Sequence, residues 1–175
     1  MAFWSDASGG EPKRAYRWIL DVEGIQTYTI KKVSKPSFSI SESEHQFLNH
    51  TYYYPGRITW NTVSFTLVDP INPDTSSALI KKIQQSGYKP ASSANDQKTL
   101  NKKDSTAALG EIKIEQIDQD GNPVETWTLK NVWIKDVKFG DLDYSSDDMV
   151  EIEVEVRYDF ATCDTKFGGK DLFKP

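Results

Sequence analysis

The chain has 175 residues, 26 acidic against 21 basic for a net charge of −5, and only 37% hydrophobic residues. The acidic balance speaks against a general nucleic-acid binder, which is usually basic. A single cysteine excludes an intramolecular disulfide, and no apolar run approaches the ~20 residues of a membrane-spanning helix. The start, "MAFWSDASGGEPKRAYR", has no signal-peptide pattern, so the chain reads as cytoplasmic in origin and soluble.

Residues 1–14 read as a flexible N-terminal arm, small and polar except for Phe3 and Trp4. A free arm gains nothing from exposed rings, so these two suggest docking onto a neighbour. A single β domain is expected over 15–162. Tyr16, Trp18, Leu20 and Val22 alternate, Gly24 follows, and Ile25 to Val33 resume, which predicts a hairpin turning near Glu23-Gly24. A short strand is expected around Phe38 and Ile40. The consecutive Tyr52, Tyr53 and Tyr54 would point to both faces of a strand, part core and part contact surface. Ile58 and Trp60 share one parity and Val63, Phe65 and Leu67 the other, so a bulge is expected near Asn61-Thr62. Asp69-Pro70 ends that strand.

One helix is expected at about 74–86, capped by Asp74 or Thr75, ended by Gly87, with Leu79, Ile80 and Ile83 as its apolar stripe. A long polar loop is predicted at 90–105, with Leu100 its one large apolar residue and Lys98, Lys102 and Lys103 as candidate contacts with another ring or subunit. Strands return at Ile112, Ile114 and Ile117, turn at Asp120-Gly121, and continue from Trp127 to Phe139 with two parity shifts, which predicts a bulged or bent strand. From Met149 onward Val150, Ile152, Val154, Val156 and Tyr158 alternate with Glu151, Glu153, Glu155, Arg157 and Asp159. Such a strand buries one face and shows the other to water. Residues 163–175 read as a C-terminal tail with Phe167 and Phe173 isolated in it; Phe173 joins the candidate contact residues. The pattern as a whole is mainly β with one short helix.

No reaction chemistry emerges. His45 and His50 lack the further ligands of a zinc site, and Cys163 has no partner motif for nucleophilic catalysis. The acidic "DLDYSSDD" fails as a calcium loop, with Ser146 where glycine and Ile152 where glutamate would be required. No enzyme activity, metal or cofactor is expected.

At "YYYPGRITWNTVSFTLVDP" and "WTLKNVWIKDVKFGDLDYSSDDMVEIEVEVRYDF" the sequence resembles the tail tube proteins of contractile-tailed bacteriophages. The matching features are Tyr54-Pro55-Gly56, Trp60 opening a strand and Asp69 closing it; then Trp127, Leu129 and Asn131, Leu142-Asp143, and a closing amphipathic strand that ends in Tyr158-Asp159. The resemblance spans roughly residues 15–160, and the 90–105 loop is longer than in the shortest members. It implies a mainly β fold of two packed antiparallel sheets with one short flanking helix, and stacked homo-hexameric rings whose strands join in an inner β-barrel around a channel for genome passage during ejection. It also implies sheath, baseplate and tape-measure partners, a virion location after assembly in the host cytoplasm, DNA passing without specific binding, and no membrane contact. Glu151, Glu153 and Glu155 would then face the lumen, multiplied into rings of negative charge. The competing readings are a type VI secretion-like tube, a baseplate tube initiator, and a monomeric β-sandwich binding module.

Overall fold

The computed structural model describes residues 11–92 and 99–173; Phe3, Trp4 and Lys98 lie outside them. In chain order the strands are β1 (Trp18–Asp21), β2 (Ile30–Val33), β3 (Phe38–Phe47), β4 (His50–Trp60), β5 (Val63–Val68), β6 (Ile112–Ile117), β7 (Pro123–Lys130), β8 (Trp133–Lys138), β9 (Glu151–Arg157), β10 (Phe160–Thr165) and β11 (Gly169–Leu172). Helices α1 (Thr75–Gln85) and α2 (Lys102–Leu109) lie between β5 and β6.

Two sheets pack on one another, a five-stranded one in the order β1-β6-β7-β10-β11 and a four-stranded one in the order β2-β5-β9-β8. All neighbours within them are antiparallel. The alternation in β9 does what its sequence predicts: Ile152, Val154 and Val156 are buried opposite Leu67, Phe65 and Val63 of β5. They meet Leu20, Ile112, Ile114, Leu129 and Ala161 of the larger sheet in one core, which Leu79 of α1 and Leu109 of α2 complete. Asp74 caps α1, its carboxylate accepting from the Ser77 backbone N–H.

Several sequence expectations change here for a common reason: the chain crosses between sheets where its parity shifts. The predicted hairpin at Glu23-Gly24 is a crossing, with β1 pairing to β6 and β2 to β5, and a 3-10 turn (Thr27–Thr29) precedes the Ile30–Val33 part of the expected second strand that does form. Asn61-Thr62 is a crossing rather than a bulge, since β4 pairs with β3 and β5 with β2 and β9. The bent strand from Trp127 to Phe139 is two strands, β7 and β8, divided at Asn131, which sits at φ 56°. The last four residues of the predicted 90–105 loop belong to α2 (Lys102–Leu109), capped by Asn101, whose side chain accepts from the Asp104 backbone N–H. The expected tail includes half of β10, where Cys163 is buried, and all of β11 at the sheet edge.

The third sheet is a free hairpin. β3 and β4 pair only with each other, from Phe38 opposite Trp60 to Phe47 opposite His50. Ten residues of strand reach ~30 Å. At Ile40–Glu42 the register slips, and Gly56 is what fits there: a Cβ on it would lie 2.3 Å from Ser41 Oγ. This accounts for the glycine of the Tyr54-Pro55-Gly56 motif by close approach rather than by an unusual dihedral.

Candidate assembly surfaces

The outward face of β2-β5-β9-β8 carries the three glutamates, brought together as the alternation predicts. The flanking strands, however, supply a lysine to each. Lys135 Nζ donates to Glu155 Oε1 at 2.9 Å and Lys138 Nζ to Glu153 Oε2 at 3.1 Å, both from β8. Lys31 of β2 reaches across β5 to pair with Glu151. The hydrogen bond from Lys135, followed by that from Thr62, holds the Glu155 carboxyl below its usual range, and donating to Glu153 and Glu151 raises the pKa of Lys138 and Lys31. Lys32, Ser64, Thr66 and Asp136 fill the rest of the face. At its groove end the face also carries Trp133, opposite Arg157, while Ile152, Val154 and Val156 lie on the core side.

Both outer strands of this sheet, β2 and β8, lack a second strand neighbour among the described residues. Because three antiparallel steps separate them, they run in opposite senses. Beside β8 lies a half-open groove of about 960 Å3 between α1, α2 and the hairpin root, lined by Trp60, Leu100, Trp133, Val137 and Phe139 among others. The hairpin leaves one end of the sheet; the loop from Gly140 to Val150 leaves the other, with exposed Leu142, Tyr144 and Met149 among its acids. Gly140 makes that exit possible, at φ 81° with the Glu151 carbonyl 2.5 Å from where a Cβ would stand.

On the hairpin both faces are open, so Tyr52, Tyr53 and Tyr54 are all exposed, as are Phe47, Leu48 and Ile58. None of the three tyrosines belongs to the core. The root is fixed twice. Phe173 packs edge-on against Phe38 (5.8 Å) and Trp60 (5.6 Å), so this candidate contact residue is engaged within its own chain. Lys35, just before β3, donates to Glu125 (2.6 Å) and to Gln116 (2.7 Å). Glu125 is a buried carboxylate on the core side of β7 that also accepts from Lys13 and from Trp127 Nε1. Burial opposes its ionisation, but the hydrogen bonds from Lys13, Lys35 and Trp127 outweigh burial and bring its pKa to about 2. One carboxylate therefore anchors the exit of the N-terminal arm and the root of the hairpin.

Of the remaining candidates, Lys102 is paired with Asp159 (2.6 Å), which lowers the Asp159 pKa, and Lys103 is exposed on α2. Among the described residues no group of three or more His, Cys, Asp or Glu is placed to hold a metal ion, and no helix is long and apolar enough to cross a membrane. Glu125, Lys31, Lys135 and Lys138 escaped the sequence reading, since their roles depend on cross-strand register. The hairpin was visible in part: "FSISESEHQF" and "HTYYYPGRITW" flank a two-residue Leu48-Asn49 link.

A family model described as T4-like virus tail tube protein gp19 matches residues 14–162. No curated protein sequence matches. Among solved structures, a chain of the anti-feeding prophage cap (the AFP tube terminating cap) is 15% identical, covering 94% of this chain and 99% of its own, with a TM-score of 0.67. A chain of the sheath/tube terminator of the extracellular contractile injection system PVC, in its extended state, is 16% identical over 89% of this chain and 99% of its own, with a TM-score of 0.66. A chain of the anti-feeding prophage baseplate, 6-fold symmetrised, is 14% identical over 88% and 96%, with a TM-score of 0.62. At these identities the likeness is one of fold.

Proposed function

Because the chain belongs to the T4-like virus tail tube protein family and is a structural subunit of a tail tube, we propose that six copies close edge to edge into a ring and that the rings stack. The observation that carries this reading is the pair of open edges. β8 of one copy set beside β2 of the next continues the antiparallel order, so every joint repeats the geometry inside the subunit. Closure removes the exposed edges that would otherwise template disordered pairing. The 6-fold symmetry of the baseplate that contains a similar chain supports the number six.

In this arrangement the polar face with Glu151, Glu153 and Glu155 lines the channel and the five-stranded sheet forms the outer layer. The hairpin, ~30 Å long with exposed aromatic or aliphatic side chains on both faces, is the main contact between subunits. Phe3 and Trp4 on the arm, with Lys98 and Lys103, add contacts between rings. The assembled tube is a component of the virion tail; sheath and baseplate are its partners, since similar chains occur in a sheath/tube terminator and in a baseplate, and assembly takes place in the host cytoplasm. The chain acts by enclosing space, without catalysis.

Negative-stain imaging of the purified protein at high concentration tests the reading. Six-fold rings or tubes are expected. A stable monomer at all concentrations would overturn it in favour of a monomeric binding module.

A further inference from the structure

The glutamates of β9 pose a problem that the sequence alone hides. Three carboxylates at alternate positions of one strand are ~7 Å apart and repel one another. A wall meant only to repel a polyanion would keep that charge uncompensated. Here the same face carries Lys31, Lys32, Lys135 and Lys138 against Asp136, Glu151, Glu153 and Glu155, so its charges cancel. Arg157, at the groove end of the same face, adds one positive charge, and Asp148, close enough to act on Lys31, one negative charge.

The pairs are exposed, with Glu153 62% and Lys138 67% accessible. Exposed pairs contribute little to stability, so folding does not explain three of them side by side. Their larger effect is on the field above the sheet. A lysine whose ammonium is held against a carboxylate presents no net charge beyond a Debye length of ~8 Å at physiological salt. Lysines released from that contact would be phosphate-binding groups, six times over in each ring.

We propose that Glu151, Glu153 and Glu155 mask Lys31, Lys138 and Lys135 respectively, making the channel wall a charge-balanced surface without hold on a polyanionic cargo such as DNA. The glutamates keep the lysines from capturing what passes; they are not a ring of net negative charge. The inference rests on the reading that this face lines the channel. It differs from a repulsive wall in one respect: removing the carboxylates turns the surface adhesive rather than merely neutral. It also assigns the lysines a place, since they relieve the repulsion along β9 and tie β2, β9 and β8 together across the sheet.

The isolated full-length subunit, in which this face is open, provides the first test. A fluorescein-labelled single-stranded DNA oligonucleotide is titrated at ~50 mM salt and followed by anisotropy. Wild type is expected to show no appreciable binding. The triple variant E151Q/E153Q/E155Q is expected to bind at least tenfold more tightly, with affinity falling as salt rises. Adding K31Q/K135Q/K138Q should abolish that gain. Glu153→Gln alone, at the most exposed of the three, should move in the same direction by a smaller factor and covers the case in which the triple variant folds poorly. No gain in the triple and single variants, or a gain that survives loss of the lysines, overturns the proposal. The channel reading is tested separately with Thr66→Cys, which sits on the same face. In assembled tubes this thiol should resist a maleimide carried on a bulky polymer, while the buried Cys163 stays unreactive. Stoichiometric labelling would place the face outside and overturn the channel role whatever the oligonucleotide does.

Discussion

Substituting Glu125 by Gln removes one charge from the place where arm, hairpin root and core meet. The amide keeps the shape and an acceptor for Trp127 Nε1–H but gives up the ionic contacts to Lys13 and Lys35. The Glu125 pKa falls from 4.5 to about 2 on folding. At ~1.4 kcal/mol per factor of ten this corresponds to ~3 kcal/mol. Both lysines are about half exposed, 49% and 48%, so solvent screens part of it, and ~2 kcal/mol is the expected loss. The sign follows from the depressed pKa. The contribution is complete above the unfolded value of about 4.5, and it disappears as pH falls toward 2. Urea denaturation of wild type and E125Q at pH 7, 5 and 3 measures it. The difference between the two proteins isolates this carboxyl from the others that titrate. A gap of ~2 kcal/mol at pH 7 should persist at pH 5 and shrink clearly at pH 3. A gap that stays constant to pH 3, or none at pH 7, would refute the reasoning.

Phe65→Ala, in a fully packed position of β5, should cost ~3–5 kcal/mol by thermal or urea unfolding. Asp74→Ala removes the α1 cap and should cost ~1 kcal/mol, with faster amide exchange confined to the first turn of that helix. Replacing Tyr52, Tyr53 and Tyr54 together by Ser should change subunit stability by less than ~0.5 kcal/mol, since none is buried, yet abolish tubes in negative stain. A chain beginning at Lys13 retains the Glu125 contact and should give an unchanged circular dichroism spectrum while assembling poorly without Phe3 and Trp4; equal tube formation would dismiss the arm's role.

Burial patterns in single strands were legible in the sequence. β9 and β5 alternate because one face of each packs on the core, and α1 has both a capping residue and an ending glycine. The crossings were not legible, because a parity shift at Asn61-Thr62 or Asn131 reads the same whether the strand bulges or leaves for another sheet. α2 was missed for lack of an apolar stripe: Leu109 is its one buried residue, and the Asn101–Asp104 cap was its only local sign. On the candidate channel face the glutamates could be grouped from spacing alone. Their lysines could not, since Lys31 is separated from Glu151 by 120 positions in the chain and pairs with it across an intervening strand. Glu125 gave no signal either, as its meaning depends on three segments converging.

The crossings also set the order in which the chain can fold. Each large sheet needs joints between distant segments: β1 to β6 and β7 to β10 in one, β5 to β9 in the other. Loop-closure entropy must be met before such contacts reward it, so these sheets belong to the slow, millisecond-to-second class. The hairpin needs only its own 23 residues, Phe38 to Trp60, and hairpins form in ~1–10 μs. In the proposed assembly the hairpin is thus complete first and covered last, when a neighbour arrives. During synthesis every copy passes through an interval in which its hairpin is formed and unclaimed, and the concentration of partners decides whether that interval ends in a ring or an aggregate.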